Sequence, residues 1–345
     1  MTRRKFLKAC LTAAGLTALG GCNLRSWARG MQEQRAAPNA PQDWNGYEPR
    51  YLTLEASGEL ERRERALWAK MENCGLCPRM CGVNRMAGKT GVCNTSDIFR
   101  VAFHGPHFGE ERPFIGRGGS GTIFFANCNL LCIFCQNYRV SHLGDGIRTS
   151  HTRLAEIMIA LQERGCHNIN LVTPTHVVPH IVTALRLAIA KGLYIPLLYN
   201  TSGYELLEVV QLLDGIIDLY VPDFKFQDNE RAARLTNGAP DYTLHTAAAI
   251  KEMHRQTGTL WLNNGVAYRG LLIRHLVMPE NYASTDVFVR WVARELGVNT
   301  HVNIMRQWSP LFQARYHPPL NRSLRDGEFE QAKRWARSAG LRNFH

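Results

Sequence analysis

The 345-residue chain has no run of eighteen apolar residues, so nothing in it reads as a membrane-spanning helix. Its glycine-rich stretch Gly116–Gly121 is not followed by Gly-Lys-Ser/Thr. That excludes a phosphate-cradling P-loop there and leaves a flexible lead into a strand. It has no basic run interleaved with aromatics, so its formal net charge of +12 does not by itself point to nucleic acid, and no DNA partner is expected. Part of that charge lies in the first 21 residues, where Arg3, Arg4, Lys5 and Lys8 meet no acid. The chain also lacks an obvious peptide- or RNA-binding module. With 45% hydrophobic and 20% charged residues it has ordinary globular composition. It is too long to need the disulfide framework of a small secreted domain, so its ten cysteines require another account.

The first 22 residues combine Arg3-Arg4, Phe6-Leu7-Lys8, a short apolar stretch from Cys10 to Leu19, and Leu19-Gly20-Gly21-Cys22. This resembles a twin-arginine export signal ending in a lipobox, with Cys22 lipidated as the mature N-terminus. The alternative is an amphipathic helix with a chance arginine pair. Export with a membrane lipid anchor is the expected localisation. Residues 23–57, with Pro38, Pro41 and Pro49, read as a linker. Residues 58–71 have helical spacing, with Leu60, Leu67 and Met71 on one face.

From about Gly119 apolar strands alternate with helices. Strands are expected at 121–126, 169–173, 194–199, 216–221, 271–277 and 300–305. Helices are expected at 151–164, 177–190, 204–213, across 228–256, and at 284–296 and 326–339. Six strands separated by helices predict a parallel α/β architecture, either an open sheet or a part-barrel. The domains expected are a helix plus four-cysteine module at 58–110, a barrel at 111–315 and a helical tail at 316–345.

Seven of the cysteines fall in two clusters. Cys128, Cys132 and Cys135 lie within eight residues, directly after the first strand. Thiolates are soft ligands for iron in iron–sulfur clusters or for zinc. Three of them can serve three corners of a [4Fe–4S] cubane and leave one iron without a protein ligand. The alternative is a zinc loop with a distant fourth ligand, or plain thiols. Upstream, Cys74-Gly-Leu-Cys77-Pro-Arg-Met-Cys81 is followed by Cys93. Four thiolates can close a tetrahedral zinc site or a second [4Fe–4S] cluster, and either would help fold a short segment. Cys166 reads as a buried thiol, and Cys10 has no assigned role.

The Cys-x3-Cys-x2-Cys spacing, with Phe134 before the third cysteine, resembles the signature of the radical S-adenosylmethionine (SAM) superfamily. Together with the upstream module it is similar to the pyruvate formate-lyase activating-enzyme-like branch, akin to AmmeMemoRadiSam-type proteins, over about residues 70–315. The resemblance implies a partial (β/α)6 TIM-like barrel. It implies a cluster whose open corner binds SAM and cleaves it reductively, and an electron donor of flavodoxin or ferredoxin type. It implies SAM-contacting residues beyond the strand ends, where binding groups of parallel folds gather: Thr173, Thr175 and His176; Asn200, Thr201 and Ser202; Asp223 and Lys225; and Arg274. The Thr173–His176 text departs from the GGE-like segment usual there. The leading expectation is hydrogen abstraction from a protein or peptide, as in glycyl-radical activases. Alternatives are radical modification of a small molecule or RNA, and, in another class, an exported iron–sulfur or metal-binding lipoprotein. An export signal conflicts with the cytoplasmic supply of SAM.

Overall fold

The computed structural model describes residues 47–345. The expected signal in residues 1–22, its Cys22 and the linker up to residue 46 lie outside the described residues. The remainder of the linker does not stay extended. Residues Arg50–Ala56 form a helix, α1, whose Tyr51 is fully buried and donates to the Ile195 carbonyl at 2.9 Å. Gly58, in the left-handed region at φ 76°, turns the chain into α2 (Glu59–Ala69). The face expected there is the buried one, with Leu60, Leu67 and Met71 fully covered.

The sheet begins earlier than the boundary expected at residue 111. β1 (Arg100–His107) pairs antiparallel with β2 (Ser120–Phe125), and β3 (Ile147–Arg148) adds to the outer edge of β1. The chain then alternates: α3 (His151–Glu163), β4 (Ile169–Val172), α4 (Val178–Ile189), β5 (Leu197–Thr201), α5 (Leu207–Leu212) and β6 (Leu219–Pro222). Next come α6 (Asn229–Leu235), α7 (Tyr242–Thr257), β7 (Trp261–Asn263), β8 (Val266–Leu276), α8 (Thr285–Glu295), β9 (His301–Met305) and α9 (Asp326–Ser338). Strands β2, β4, β5, β6, β8 and β9 neighbour one another in that order, all parallel, in a sheet that stays open. β4, β5 and β6 are buried along almost their whole length, as strands covered on both faces must be.

The helical text expected across 228–256 is two helices, because Pro240 and the left-handed Asp241 (φ 44°) break it. The tail is no appendage. After α9 the last residues return to the sheet, where Val302 and Ile304 donate to the carbonyls of Asn343 and His345 at 2.9 Å. A second, smaller apolar core gathers Phe114 with Leu198, Leu219, Val221 and Leu272. Phe114 comes from a single helical turn, Arg112–Ile115, in the β1–β2 connection, so a side chain outside the parallel strands fills the floor between them.

Candidate functional site

The loop carrying Cys128, Cys132 and Cys135 leaves the end of β2, the position from which parallel folds present chemistry. Two non-glycine residues in it take the left-handed region, Asn127 (φ 72°) and Leu131 (φ 56°). Such residues persist where surroundings over-determine them. Asn127 donates to the Asn94 carbonyl and the Thr95 hydroxyl, both at 3.0 Å. Asn129 donates to the Tyr204 carbonyl at 2.9 Å, and the Ile133 amide to the Leu235 carbonyl at 2.9 Å. The Ile133 carbonyl in turn accepts from Gln313 at 2.9 Å. The loop is thus held from four directions.

Cys128 and Cys132 are buried and Cys135 is half-buried, all as free thiols. Burial pushes the Cys128 thiol up to about 11, against the backbone amides of Leu131 and Leu130. The Leu130 amide lies 3.4 Å from its sulfur. Burial also raises Cys132 well above the usual thiol value, with Lys225 opposing and the neighbouring Cys128 and Cys135 reinforcing. Cys128 and Cys132 thus feel the neighbouring sulfurs, and a metal that binds these two thiols must displace their protons. Among the described residues no three His, Cys, Asp or Glu side chains are grouped to hold a single metal ion. Ligands of a cubane go to separate iron corners. Three adjacent thiols, an amide donor aimed at sulfur and the half-buried Lys225 cation beside them fit a cluster better than one ion.

Across from Cys132 stands an ionic set from the ends of β5, β6 and β8. Lys225 pairs with Asp223, and its backbone amide donates to the Tyr242 hydroxyl at 2.9 Å. Burial lowers the Lys225 pKa, but Asp223 and Cys132 outweigh it and hold the ammonium charged. Arg274, paired in the sheet with Asp223, reaches that carboxylate at 3.4 Å and donates to the Asn200 side chain. Asn200, Asp223, Lys225 and Arg274 are therefore brought together. Two residues not singled out in the sequence join them: Glu110 at 3.5 Å and Glu111 at 3.8 Å from the same guanidinium.

The other expected contacts form a separate group. Thr175 and Thr201 both donate to Glu205, a fully buried carboxylate, Thr175 at 2.5 Å. Tyr199 donates to Glu205 at 3.4 Å. Burial lifts Glu205 to about 7 in spite of these donors. His176 donates from Nε2 to the Ala126 carbonyl at 2.8 Å, and burial lowers it to about 4. That neutral ring props the start of the cysteine loop. Thr173 takes a left-handed φ of 57°, a costly conformation for a β-branched residue, and its amide donates to the Asn200 carbonyl at 2.9 Å. The Ser202 hydroxyl is buried without a hydrogen-bond partner. A β-carbon at Gly203 (φ 79°) would strike the Asp223 carbonyl, so this turn needs glycine.

In the upstream module Cys74, Cys77 and Cys93 are buried and Cys81 is half-buried, all free. Burial pushes Cys77 up to about 12, with an opposing hydrogen bond from the Arg79 amide and reinforcement from Cys93 and Cys74. The Val92 amide lies 3.4 Å from the Cys81 sulfur. The module is docked on the first loop by Arg79, which sequence reading passed over. Its guanidinium donates to the carbonyls of Asn129 (3.0 Å), Leu130 (3.2 Å), Thr236 (2.6 Å) and Asn237 (2.8 Å). The adjacent Cys-Pro-Arg-Met-Cys text was its only signal.

The family model described as the radical SAM superfamily matches residues 122–271. The uncharacterized protein MJ0674 of Methanocaldococcus jannaschii is 30% identical over 280 residues, covering 78% of this chain and 76% of that protein. Among solved structures, one of TYW1 with a lysine-pyruvate adduct bound aligns with a TM-score of 0.40 at 12% identity, over 63% of this chain and 73% of that one. HydG, a maturase of the [FeFe]-hydrogenase, aligns with a TM-score of 0.44 at 16% identity, over 63% of this chain and 48% of that one.

Proposed function

The chain belongs to the radical SAM superfamily, and from that premise we propose that it takes a hydrogen atom from a protein or peptide substrate, in the manner of the pyruvate formate-lyase activating-enzyme-like branch. The cofactors of the superfamily are a [4Fe–4S] cluster and SAM. Cys128, Cys132 and Cys135 would hold the cluster, which would supply the electron for reductive cleavage of SAM.

One observation carries this reading. Three thiols on one clamped loop lie beside a largely buried set of Asp223, Lys225, Asn200 and Arg274, with Lys225 close enough to Cys132 to oppose the effect of its burial. Three protein thiols leave one cluster corner for a ligand that is not protein. The facing set offers a guanidinium for a carboxylate and carboxylates for an ammonium, which suits the amino-acid end of SAM. Arg274, Val277 and Pro279 on β8 and its exit, and Asp223 with Lys225 on the β6 exit, support the activating-enzyme-like branch. His176, Thr175 and Thr201 hold the strand ends around the loop through Ala126 and Glu205. The clamped loop keeps most water from Cys128 and Cys132.

The module of Cys74, Cys77, Cys81 and Cys93 holds zinc or a second iron–sulfur cluster in this reading. A flavodoxin- or ferredoxin-type donor supplies the electron. The lipidated Cys22 would tether the exported chain to a membrane. The test is anaerobic reconstitution with iron and zinc counting, followed by dithionite and SAM. The reading expects 5′-deoxyadenosine from wild type and none from Cys132→Ala. A glycine-centred radical on an added protein partner would mark the activase branch. Equal SAM cleavage by the mutant would remove the assignment of the loop.

A further inference from the structure

The three loop sulfurs differ in what stands beside them. Cys128 has the backbone amides of Leu130 and Leu131, and Cys132 has the Lys225 ammonium. Cys135, the half-buried one, has a side-chain hydroxyl: Ser141 Oγ lies 3.1 Å from its Sγ. Ser141 is itself buried, at 7% exposure, so little water competes for that hydroxyl. Nothing in the cysteine spacing marks this residue.

The fold holds this hydroxyl in place from two directions. Ser141 ends a single helical turn, Tyr138–Ser141, that follows the cysteine loop directly. The Asn127 amide, next to Cys128, donates to the Val140 carbonyl at 2.9 Å and ties the turn back to the start of the loop. On the other side, His142 Nδ1 lies 2.8 Å from Ser141 Oγ. The His142 ring is fixed by an edge contact with Phe312, 4.8 Å between centroids, and by a hydrogen bond to the Leu131 backbone. Phe312 takes a left-handed φ of 52° and stacks on Tyr138 at 4.8 Å. The next amide, of Gln313, donates to the Ile133 carbonyl inside the cysteine loop. Non-glycine residues keep such a backbone where their surroundings over-determine it. Two segments far apart in sequence therefore close on one hydroxyl.

A serine hydroxyl has one proton to give. A cysteine that ligates iron is a thiolate and has none, so between Cys135 and Ser141 only the hydroxyl can then donate. We propose that Ser141 is a positioning residue for the cluster: its hydroxyl donates to the Cys135 sulfur, with His142 fixing it from the other side, and so makes the cluster easier to reduce. Reduction adds negative charge to the cluster and its sulfurs. A donor on sulfur therefore stabilises the reduced form more than the oxidised one, and hydrogen bonds to the sulfurs are among the levers that set cluster potentials. At Cys128 the donors are the loop's own amides, whereas at Cys135 the donor is a side chain that substitution can remove. The proposal rests on the reading of this loop as the cluster site, and it names the group that sets how readily the electron is accepted.

The test is a redox titration of the anaerobically reconstituted full chain, followed by electron paramagnetic resonance and read only on the signal that Cys132→Ala lacks. At a fixed potential, Ser141→Ala and Ser141→Val are expected to show a reduced-to-oxidised ratio about tenfold below wild type, a downward shift of about 59 mV for one electron. Ser141→Thr, the same shape as valine but with the hydroxyl kept, is expected to return to the wild-type ratio. After exchange into heavy water, electron–nuclear double resonance should show a deuteron coupling in wild type and Ser141→Thr that the alanine and valine variants lose. Iron counts equal to wild type show that the variants are loaded. Equal ratios in all four chains would overturn the proposal and leave the Ser141 proton with His142. A higher potential in Ser141→Ala would overturn it too. So would alanine and valine variants that hold no cluster, because a bond that only tunes the potential is not needed for loading. A wild type with no Cys132-dependent signal would instead remove the reading of the loop, and the proposal with it.

Discussion

Replacing Arg79 by alanine probes whether the upstream module and the cysteine loop form one unit. The arginine makes four hydrogen bonds to backbone carbonyls, two in the loop at Asn129 and Leu130 and two after α6 at Thr236 and Asn237. A hydrogen bond to a carbonyl contributes a net of about 0.5–1.5 kcal/mol, and carbonyls left unsatisfied add to the loss. The side chain is half-buried, so the lower part of that range applies, and four bonds give a loss of about 2–4 kcal/mol. Against a total stability of about 5–15 kcal/mol this is readily measured. Urea unfolding of the full chain is the assay, with iron retained after reconstitution as the second readout. Arg79→Lys should recover only part of the loss, because an ammonium cannot fork to four acceptors. An alanine variant within about 0.5 kcal/mol of wild type, with full iron content, would refute the clamp.

Glu205 gives a pH signature. Burial raises its folded pKa from the ordinary 4.5 to about 7, so between those values the folded chain holds a proton that the unfolded chain releases. Stability therefore falls as pH rises through this window, by about 3 kcal/mol from this group. Glu205→Gln should flatten that slope in denaturation curves at pH 4.5–7.5, and an unchanged slope would reject the assignment. Phe114→Ala empties the centre of the smaller apolar core and should cost about 3–5 kcal/mol by thermal or denaturant unfolding. Gly203→Ala should destabilise by more than about 1 kcal/mol, since it combines a left-handed backbone with a clash on Asp223. It should also weaken SAM binding, measured by equilibrium dialysis, because the Asp223 strand end must move.

The alternating βα pattern was legible because β4, β5 and β6 are buried on both faces and read as continuous apolar runs. β1 was missed because its burial alternates irregularly and its residues include His104, Gly105, Pro106 and His107. The helix at 50–56 was hidden by its proline-containing flank. Tyr51 and its docking partner Ile195 are far apart in sequence, and no local pattern links them. The cysteine loop was visible from spacing alone, because its ligands are local. The residues around it were only partly visible. Asn200, Asp223, Lys225 and Arg274 converge, whereas Thr175, Thr201 and His176 turn to Glu205 and Ala126. Glu110, Glu111 and Arg79 reach the site from the connection before β2 and from the upstream module. Reading only the residues after each strand could not find them.

The account stands or falls on a cluster held by three cysteines with a corner left for SAM. Electron paramagnetic resonance of the dithionite-reduced, reconstituted full chain, recorded before and after adding SAM, addresses this directly, with Cys93→Ala isolating the loop signal from any upstream cluster. A reduced cubane signal whose g values shift when SAM is added, and which disappears in Cys132→Ala, is the predicted result. A cubane signal that SAM leaves unchanged, or one that survives in Cys132→Ala, would contradict it.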